Sequence, residues 1–321
     1  MDKQSKIYIA GHNGMVGSAI HRKLIGEGYN NIITENSNEL DLREQSMVRD
    51  FFSKEQPEYV VLSAAMVGGI QANNTYRGDF LYNNLIIQTN IIHESYVNKV
   101  KKLVFMGSAC IYPKLAEQPM KEEYMLTGLL EPTNEPYAIA KIAGLKMCEA
   151  YNNQYGCNFI SVMPNNLYGP NDNYDLNNSH VLAALIRKFH DAKVASKEYV
   201  ELWGTGSPLR EFLHVDDLAK ACYFLMLNYN ESQFINIGTG EEVSIKTLAN
   251  LIKDVTEYKG ELRWDDSKPD GVPRKLLDTT KLRDLGFQHS IKLKDGLTSV
   301  YTDLVDNYEK YTNRDQTKYL N

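Results

Sequence analysis

The feature that most constrains this chain is how it begins. The apolar run Ile7–Ala10 feeds directly into Gly11-His12-Asn13-Gly14-Met15-Val16-Gly17, and that turn opens a segment with helical patterning. Strand, glycine-punctuated turn and helix in this order form the first half of a βαβ unit, because a parallel neighbour strand is reached only through a crossover of helix length. The alternation continues. Strand-like runs at 31–34, 59–63, 102–107 and 158–163 are spaced by helix-length segments, and their near-continuous apolar character is that of strands covered on both faces.

The expected fold is therefore α/β, a Rossmann-type doubly wound parallel sheet. A chain of 321 residues exceeds what one core usually serves, which predicts a smaller C-terminal α/β lobe as well. The turn formers Asn165-Asn166-Leu167-Tyr168-Gly169-Pro170-Asn171-Asp172-Asn173 mark the passage between the two. The expected division is 1–165 for a dinucleotide-binding domain, joined by part of 214–240, and mainly 166–321 for the substrate lobe.

A formal charge of −6 opposes a phosphate-tracking surface, so no nucleic-acid partner is expected. The four cysteines, Cys110, Cys148, Cys157 and Cys222, form no CxxC pair and no metal-ligand spacing, which predicts reduced thiols and no metal. Lys3 and Lys6 lead into an apolar run too short for a secretory signal. No stretch approaches the roughly 18 apolar residues of a membrane span. The expectation is a cytoplasmic protein without a membrane partner.

The glycine turn is spaced GxxGxxG, with glycines where the chain turns tightly and the backbone must approach a pyrophosphate. Glu35 follows the second strand, where a carboxylate can accept both hydroxyls of an adenosine ribose; the plainer reading is a solvated charge. Ser108 ends the fourth strand, on the side where parallel sheets face their ligands, and a serine there can also be a simple cap. Tyr137 and Lys141 lie four apart behind Pro136, so both share one face of a helix. A neighbouring ammonium is expected to lower the tyrosine pKa toward neutrality and suit it as a general acid for a ketone; a surface pair is the alternative.

These stretches, together with Gly107-Ser108-Ala109-Cys110-Ile111-Tyr112-Pro113, Asn178-Ser179-His180-Val181, Arg210-Glu211-Phe212-Leu213-His214-Val215-Asp216-Asp217 and Lys268-Pro269-Asp270-Gly271, carry a resemblance nearly end to end. The chain resembles the extended short-chain dehydrogenase/reductase family, and within it the GDP-L-fucose synthase branch. The resemblance implies a GDP-linked 4-keto sugar that is epimerised at C3 and C5 and then reduced at C4 by a nicotinamide coenzyme. It implies that Cys110 and His180 are the epimerisation pair, and that Tyr137, Ser108 and Lys141 serve reduction as proton donor, carbonyl holder and ribose contact. It also implies that Lys188, Trp203, Arg210 and Asp270 touch the sugar nucleotide, although Trp203 could instead be a core aromatic.

Coenzyme contacts implied in the same way fall on Gly11, His12, Asn13, Gly14, Met15, Val16, Gly17 and Glu35, on Met106, Gly107, Ser108, Ala109 and Lys141, and on Pro164, Asn165, Asn166, Leu167 and His180. Family members that use NADPH often carry arginines where Asn13 and Glu35 stand here. NADP(H) is implied by the resemblance and NAD(H) by those two residues. Lys188 stands where arginine also occurs, giving a point charge in place of a fork on phosphate. Rival readings are a C4 reductase of a related GDP-4-keto sugar such as a heptose, and a dinucleotide sensor without catalysis. A homodimer through the helical segments 80–98 and 137–155 is implied by the resemblance.

Overall fold

The computed structural model describes residues 1–176, 178–268 and 270–313. Pro269, and the part of the C-terminal lobe from 314 on, lie outside the described residues. In chain order the elements are β1 (Ile7–Ala10), α1 (Met15–Gly26), β2 (Ile32–Ile33), α2 (Gln45–Glu55), β3 (Tyr59–Leu62), α3 (Ile70–Thr75), α4 (Arg77–Val97), β4 (Lys102–Met106), α5 (Glu135–Tyr155), β5 (Phe159–Pro164), β6 (Asn166–Tyr168), α6 (Val181–Val194), β7 (Tyr199–Trp203), β8 (Leu209–Arg210) and β9 (Phe212–His214). They continue with α7 (Val215–Asn228), β10 (Ile235–Ile237), β11 (Val243–Ser244), α8 (Ile245–Thr256), β12 (Glu261–Asp265), β13 (Arg274–Lys275), α9 (Thr280–Asp284), α10 (Leu293–Asp306) and α11 (Tyr308–Thr312).

The main layer is a parallel sheet in the order β10-β5-β4-β3-β1-β2. Its strands bury alternate residues on opposite faces, as the pleat requires. Ile7, Ile9, Val61, Val104, Ile160 and Val162 pack with Ile20 and Leu24 of α1 and with Leu218 and Leu225 of α7. Tyr8, Val60, Leu62, Leu103, Phe105 and Phe159 pack on the other face against Phe52 of α2, Ile91 of α4 and Leu145 of α5. Covering both faces explains why the strands read as unbroken apolar runs rather than alternating ones. The run at 31–34 pairs only through Ile32 and Ile33, both half-buried, because it forms the sheet's edge.

After β1 the chain goes to β2 on one side, and β3 lies on the other. The point where the order reverses therefore sits between β1 and β3, and ligands bind outside the carboxyl ends of strands at such a point. The second lobe packs α6, α8 and α10 around Leu182, Ile186, Phe189, Leu248, Ile252, Leu297 and Leu304. Small sheets β11-β8-β13 and β12-β7 flank it.

Glu211 joins the two regions. It is wholly buried, and its carboxylate accepts from Asn165 Nδ2 at the end of β5, from Gly240 N at 2.7 Å beyond β10, and from Leu277 N at 3.1 Å beyond β13. A buried carboxylate is tolerated when donors surround it in this way.

Candidate active site

The turn after β1 is shaped for close approach. Gly11 has φ +87°, and a Cβ there would lie 2.6 Å from Ala64 N; a Cβ on Gly17 would lie 2.2 Å from Gly11 O. Only glycine fits either place: Gly11 meets the loop after β3, on the other side of the reversal point, and Gly17 meets the Gly11 carbonyl. Gly14 caps α1 without any side chain, which leaves the first-turn N–H groups of a twelve-residue helix facing outward. Such a terminus favours a diphosphate. The cradle fits a dinucleotide; His12 and Asn13 lie in the turn itself, and Met15 and Val16 pack against the core.

Asn13 Nδ2 donates to Asn36 Oδ1 at 2.8 Å, bringing the glycine turn against the segment after β2 that also carries Glu35. Glu35 lies near enough to Tyr8 to raise the phenol further. Farther along, Met106, Gly107 and Ala109 are buried under the crevice. Pro164 ends β5. The next two side chains turn inward: Asn165 Nδ2 goes to Glu211, and Asn166 Nδ2 donates to the Glu211 carbonyl at 2.9 Å. Leu167 packs against the core face that holds α1.

Ser108 sits at the carboxyl end of β4 with extended backbone, and its Oγ accepts from Cys110 N at 3.4 Å, capping the short 3₁₀ turn Ala109–Ile111. The Tyr137 phenol and the Cys110 thiol both lie near enough to that hydroxyl for it to favour their ionised forms. Cap and active-site group are thus one residue. Tyr137 and Lys141 lie one turn apart on α5, which starts with Pro136 in its first turn. Lys141 Nζ donates to Met106 O at 2.8 Å and lies 5.0 Å from the Phe105 ring centroid.

The expected lowering of the Tyr137 pKa is not what this geometry produces. Burial drives the phenol well above its ordinary range, the nearby Cys110 adds to that, and only the Ser108 hydrogen bond opposes it. Lys141 is itself pushed down to about 8 by burial. Desolvation outweighs the ammonium because Lys141 is tied to a backbone carbonyl and lies over the tyrosine ring. The proton is retained on the phenol, the form a general acid needs.

His180 caps α6 with its backbone; its ring makes no cap hydrogen bond and the residue is exposed. Protein packed round it and the charge of Lys275 hold its pKa below the usual histidine value. Burial likewise holds the Cys110 thiol above its usual range, against the pull of Lys275, the Ser108 bond and Lys141.

The outer wall comes from the second lobe. Trp203 is 64% exposed and so is no core aromatic; Trp264 fills that role, packing against Gly206. Lys188 Nζ stands 5.8 Å from the Trp203 ring centroid and Lys268 Nζ 5.9 Å. Asp270 accepts from Thr205 N at 3.0 Å and Thr205 Oγ1 at 2.7 Å, two residues beyond Trp203. Arg210 feels the Asp270 carboxylate and lies 2.9 Å from where a Cβ on Gly271 would sit. An aromatic face, cations and a carboxylate along one wall suit a base, a diphosphate and sugar hydroxyls.

The family model for NAD dependent epimerases and dehydratases matches residues 7–238. The chain belongs to the NAD dependent epimerase/dehydratase family. Among members of this family, it is 58% identical to GDP-L-fucose synthase 1 of Arabidopsis thaliana, over 94% of this chain and 93% of that one. It is 52% identical to GDP-L-fucose synthase of Escherichia coli K12, over 97% and 99%. A solved family member, a GDP-mannoheptose C4 reductase from Campylobacter jejuni with NADP bound, superposes with a TM-score of 0.89 at 45% identity, covering 95% of this chain and 99% of that one.

One basic residue of the second lobe was not singled out by the sequence reading. Lys275 was legible only as a basic residue in the loop 268–275. Its register in a parallel pair sets it beside Arg210, and no local sequence signal carries that register.

Proposed function

We propose that this chain converts GDP-4-keto-6-deoxy-D-mannose to GDP-L-fucose, epimerising C3 and C5 and then reducing C4, with NADP(H) as coenzyme. The observation that carries the reading is the convergence of Ser108 at the end of β4, Cys110 in the turn it caps, and Tyr137 beside a Lys141 whose ammonium is tied to the last carbonyl of β4. A carbonyl oxygen bound there has an acid at hand, while the carbons beside it lie next to a sulfur base.

Ser108 and Tyr137 hold the C4 oxygen. As long as they polarise it, the hydrogens on C3 and C5 are acidic. Cys110 as thiolate takes a proton from one face, and His180 returns one from the other. A coenzyme held at the glycine turn would supply the hydride for C4. Tyr137 then gives its proton to the oxygen, and Lys141 steadies the charge that remains on the phenol. Lys188, Trp203, Arg210 and Asp270 orient the nucleotide part.

NADP(H) is supported by the Campylobacter jejuni relative that binds NADP. Asn13 and Glu35 weigh toward NAD(H), since a carboxylate repels a 2′-phosphate. The same relative favours the second reading, C4 reduction of a GDP-linked heptose without epimerisation. Incubation with GDP-4-keto-6-deoxy-D-mannose in heavy water, with NADPH and NADH in separate runs, tests both. Deuterium at C3 and C5 of GDP-L-fucose supports the first reading; coenzyme oxidation without label supports the second.

The division of labour we infer gives 1–165, with the 214–240 segment, to the coenzyme, and the rest to the sugar nucleotide. A homodimer through α4 and α5 is supported by exposed Tyr82, Val97, Ile139 and Tyr155 on these two helices, which pack on each other. No helix among the described residues is long and apolar enough to cross a membrane. The four free thiols support a reducing compartment, the cytoplasm.

A further inference from the structure

Helix α11 belongs to the second lobe, yet a chain of hydrogen bonds runs from it to the glycine turn of the first. The buried Tyr311 phenol donates to Asp303 Oδ2 of α10 at 2.7 Å and accepts from Asn171 N at 3.1 Å. A phenol has one proton, so the carboxylate takes it and a lone pair is left for the amide. Asn171 stands at the crossing between the lobes with φ +66°, a left-handed conformation that asparagine tolerates better than most residues. Its Nδ2 donates to Ser18 Oγ at 3.0 Å, in the first turn of α1. Ser18 Oγ in turn donates to Met15 O at 3.1 Å. That carbonyl shares one rigid peptide plane with the Val16 N–H, among the first-turn groups that have no partner within the helix.

We propose that Tyr311 is a positioning residue for the coenzyme: by fixing Asn171 it holds Ser18, and through Ser18 the Met15–Val16 peptide plane that presents an N–H to the coenzyme diphosphate. This rests on the reading of the glycine turn as the coenzyme's cradle, and is independent of which 4-keto sugar is turned over. Tyr311 acts only through Asn171 and Ser18. A peptide plane free to tilt must be ordered when the diphosphate arrives, at a cost in affinity; a plane already tied from behind its carbonyl is ordered in advance.

Both ends of the chain are anchored. Tyr311 packs its ring 5.4 Å from that of Tyr174, which is wholly buried, and Tyr308 of the same helix donates to Asp191 Oδ1 of α6 at 2.7 Å. Helix α11 is thereby fixed to the helix that carries Lys188. At the other end Arg22 also reaches Ser18 Oγ, but at 3.4 Å and from an exposed side chain that is paired with Asp216 at 2.7 Å. Asn171 is the closer donor, and a bond sheltered from water contributes more than one that competes with it.

The test is calorimetric titration of the full chain, as parent, Tyr311→Phe, Ser18→Ala and the double variant, with whichever of NADPH and NADH the parent binds more tightly, and separately with GDP. Tyr311→Phe is expected to raise the coenzyme dissociation constant about fivefold, the worth of one net hydrogen bond, and to leave that for GDP unmoved. KM for the coenzyme should rise in step, with kcat at saturating coenzyme within about twofold of the parent. In the Ser18→Ala background Tyr311→Phe should add nothing, because the route is already cut. Asn171→Gly keeps the positive φ and removes the link to Ser18; it should weaken coenzyme binding alike, and it replaces Tyr311→Phe if that variant does not fold. An unmoved coenzyme constant overturns the proposal. So do equal losses for coenzyme and GDP, which would make Tyr311 a general support of the fold, and so do effects of Tyr311→Phe and Ser18→Ala that add. If the parent binds neither coenzyme, the reading of the glycine turn falls and takes the proposal with it.

Discussion

Lys141 lies over the ring of Tyr137, its ammonium 5.7 Å from the ring centroid and hydrogen-bonded to the carbonyl of Met106. Strand β4 thereby fixes the lysine and α5 fixes the tyrosine, so the pair is rigid before anything binds. Tyr137→Phe should lower the reduction rate by roughly 10²–10⁴-fold, the usual worth of a positioned acid. Its coenzyme dissociation constant should not change. A rate near that of the parent would remove Tyr137 from the chemistry and favour a sensor role.

Burial brings Lys141 down to about 8, so its ammonium is lost as pH rises through that value. If the charge is needed beside Tyr137, kcat/KM for reduction falls above about pH 8 with a one-proton slope. Lys141→Met should be slow at every pH and lack that limb. A profile of unchanged shape in the variant would assign the limb to another group.

Lys102 offers a stability counterpart away from the site. It is buried, donates to Met226 O at 2.9 Å and Tyr229 O at 2.7 Å, and is pushed down to about 8. Its folded pKa lies below the unfolded one, so the unfolded chain binds more protons between the two. Stability from this residue therefore rises with pH from about 8 to about 10.5, by up to roughly 3 kcal/mol. Urea denaturation of the parent and Lys102→Met at the two ends of that window should show the parent gaining relative to the variant.

If Glu35 reads the adenosine ribose as its place after β2 suggests, Glu35→Arg replaces a repelling carboxylate by a cation. The ratio of kcat/KM for NADPH over NADH should rise at least tenfold, about 1.4 kcal/mol, with binding titrations moving in parallel. An unmoved ratio would mean that Glu35 is only a solvated charge.

Gly11→Ala must put a Cβ against Ala64 N with φ at +87°. It should destabilise the protein by more than about 1 kcal/mol and abolish the rise in melting temperature that coenzyme gives the parent.

Much of the first lobe was legible because its information is local. Ile7–Ala10 and the glycines after it specify strand, turn and helix within a dozen residues, and Pro136 announces α5. The outer wall was legible as residue types but not as a place: Trp203 could not be told from Trp264 without knowing which one Gly206 covers. The place of Lys275 depends on β13 pairing with β8, far away in the chain, and such pairing leaves no mark in composition or periodicity. The Tyr137 expectation failed for a related reason, since charge neighbours are visible in spacing and desolvation is not.

The Glu211 carboxylate also bears on modularity. It ties the exits of three segments, 165, 240 and 277, that belong to different halves of the active site. Any chimera that trades the sugar-recognising region for that of a relative must import a partner set for this one buried anion. A graft that breaks the set strands a desolvated charge at the seam, so the protein's capacity to acquire new sugar specificity by wholesale exchange is limited by a residue buried beneath the surface being exchanged.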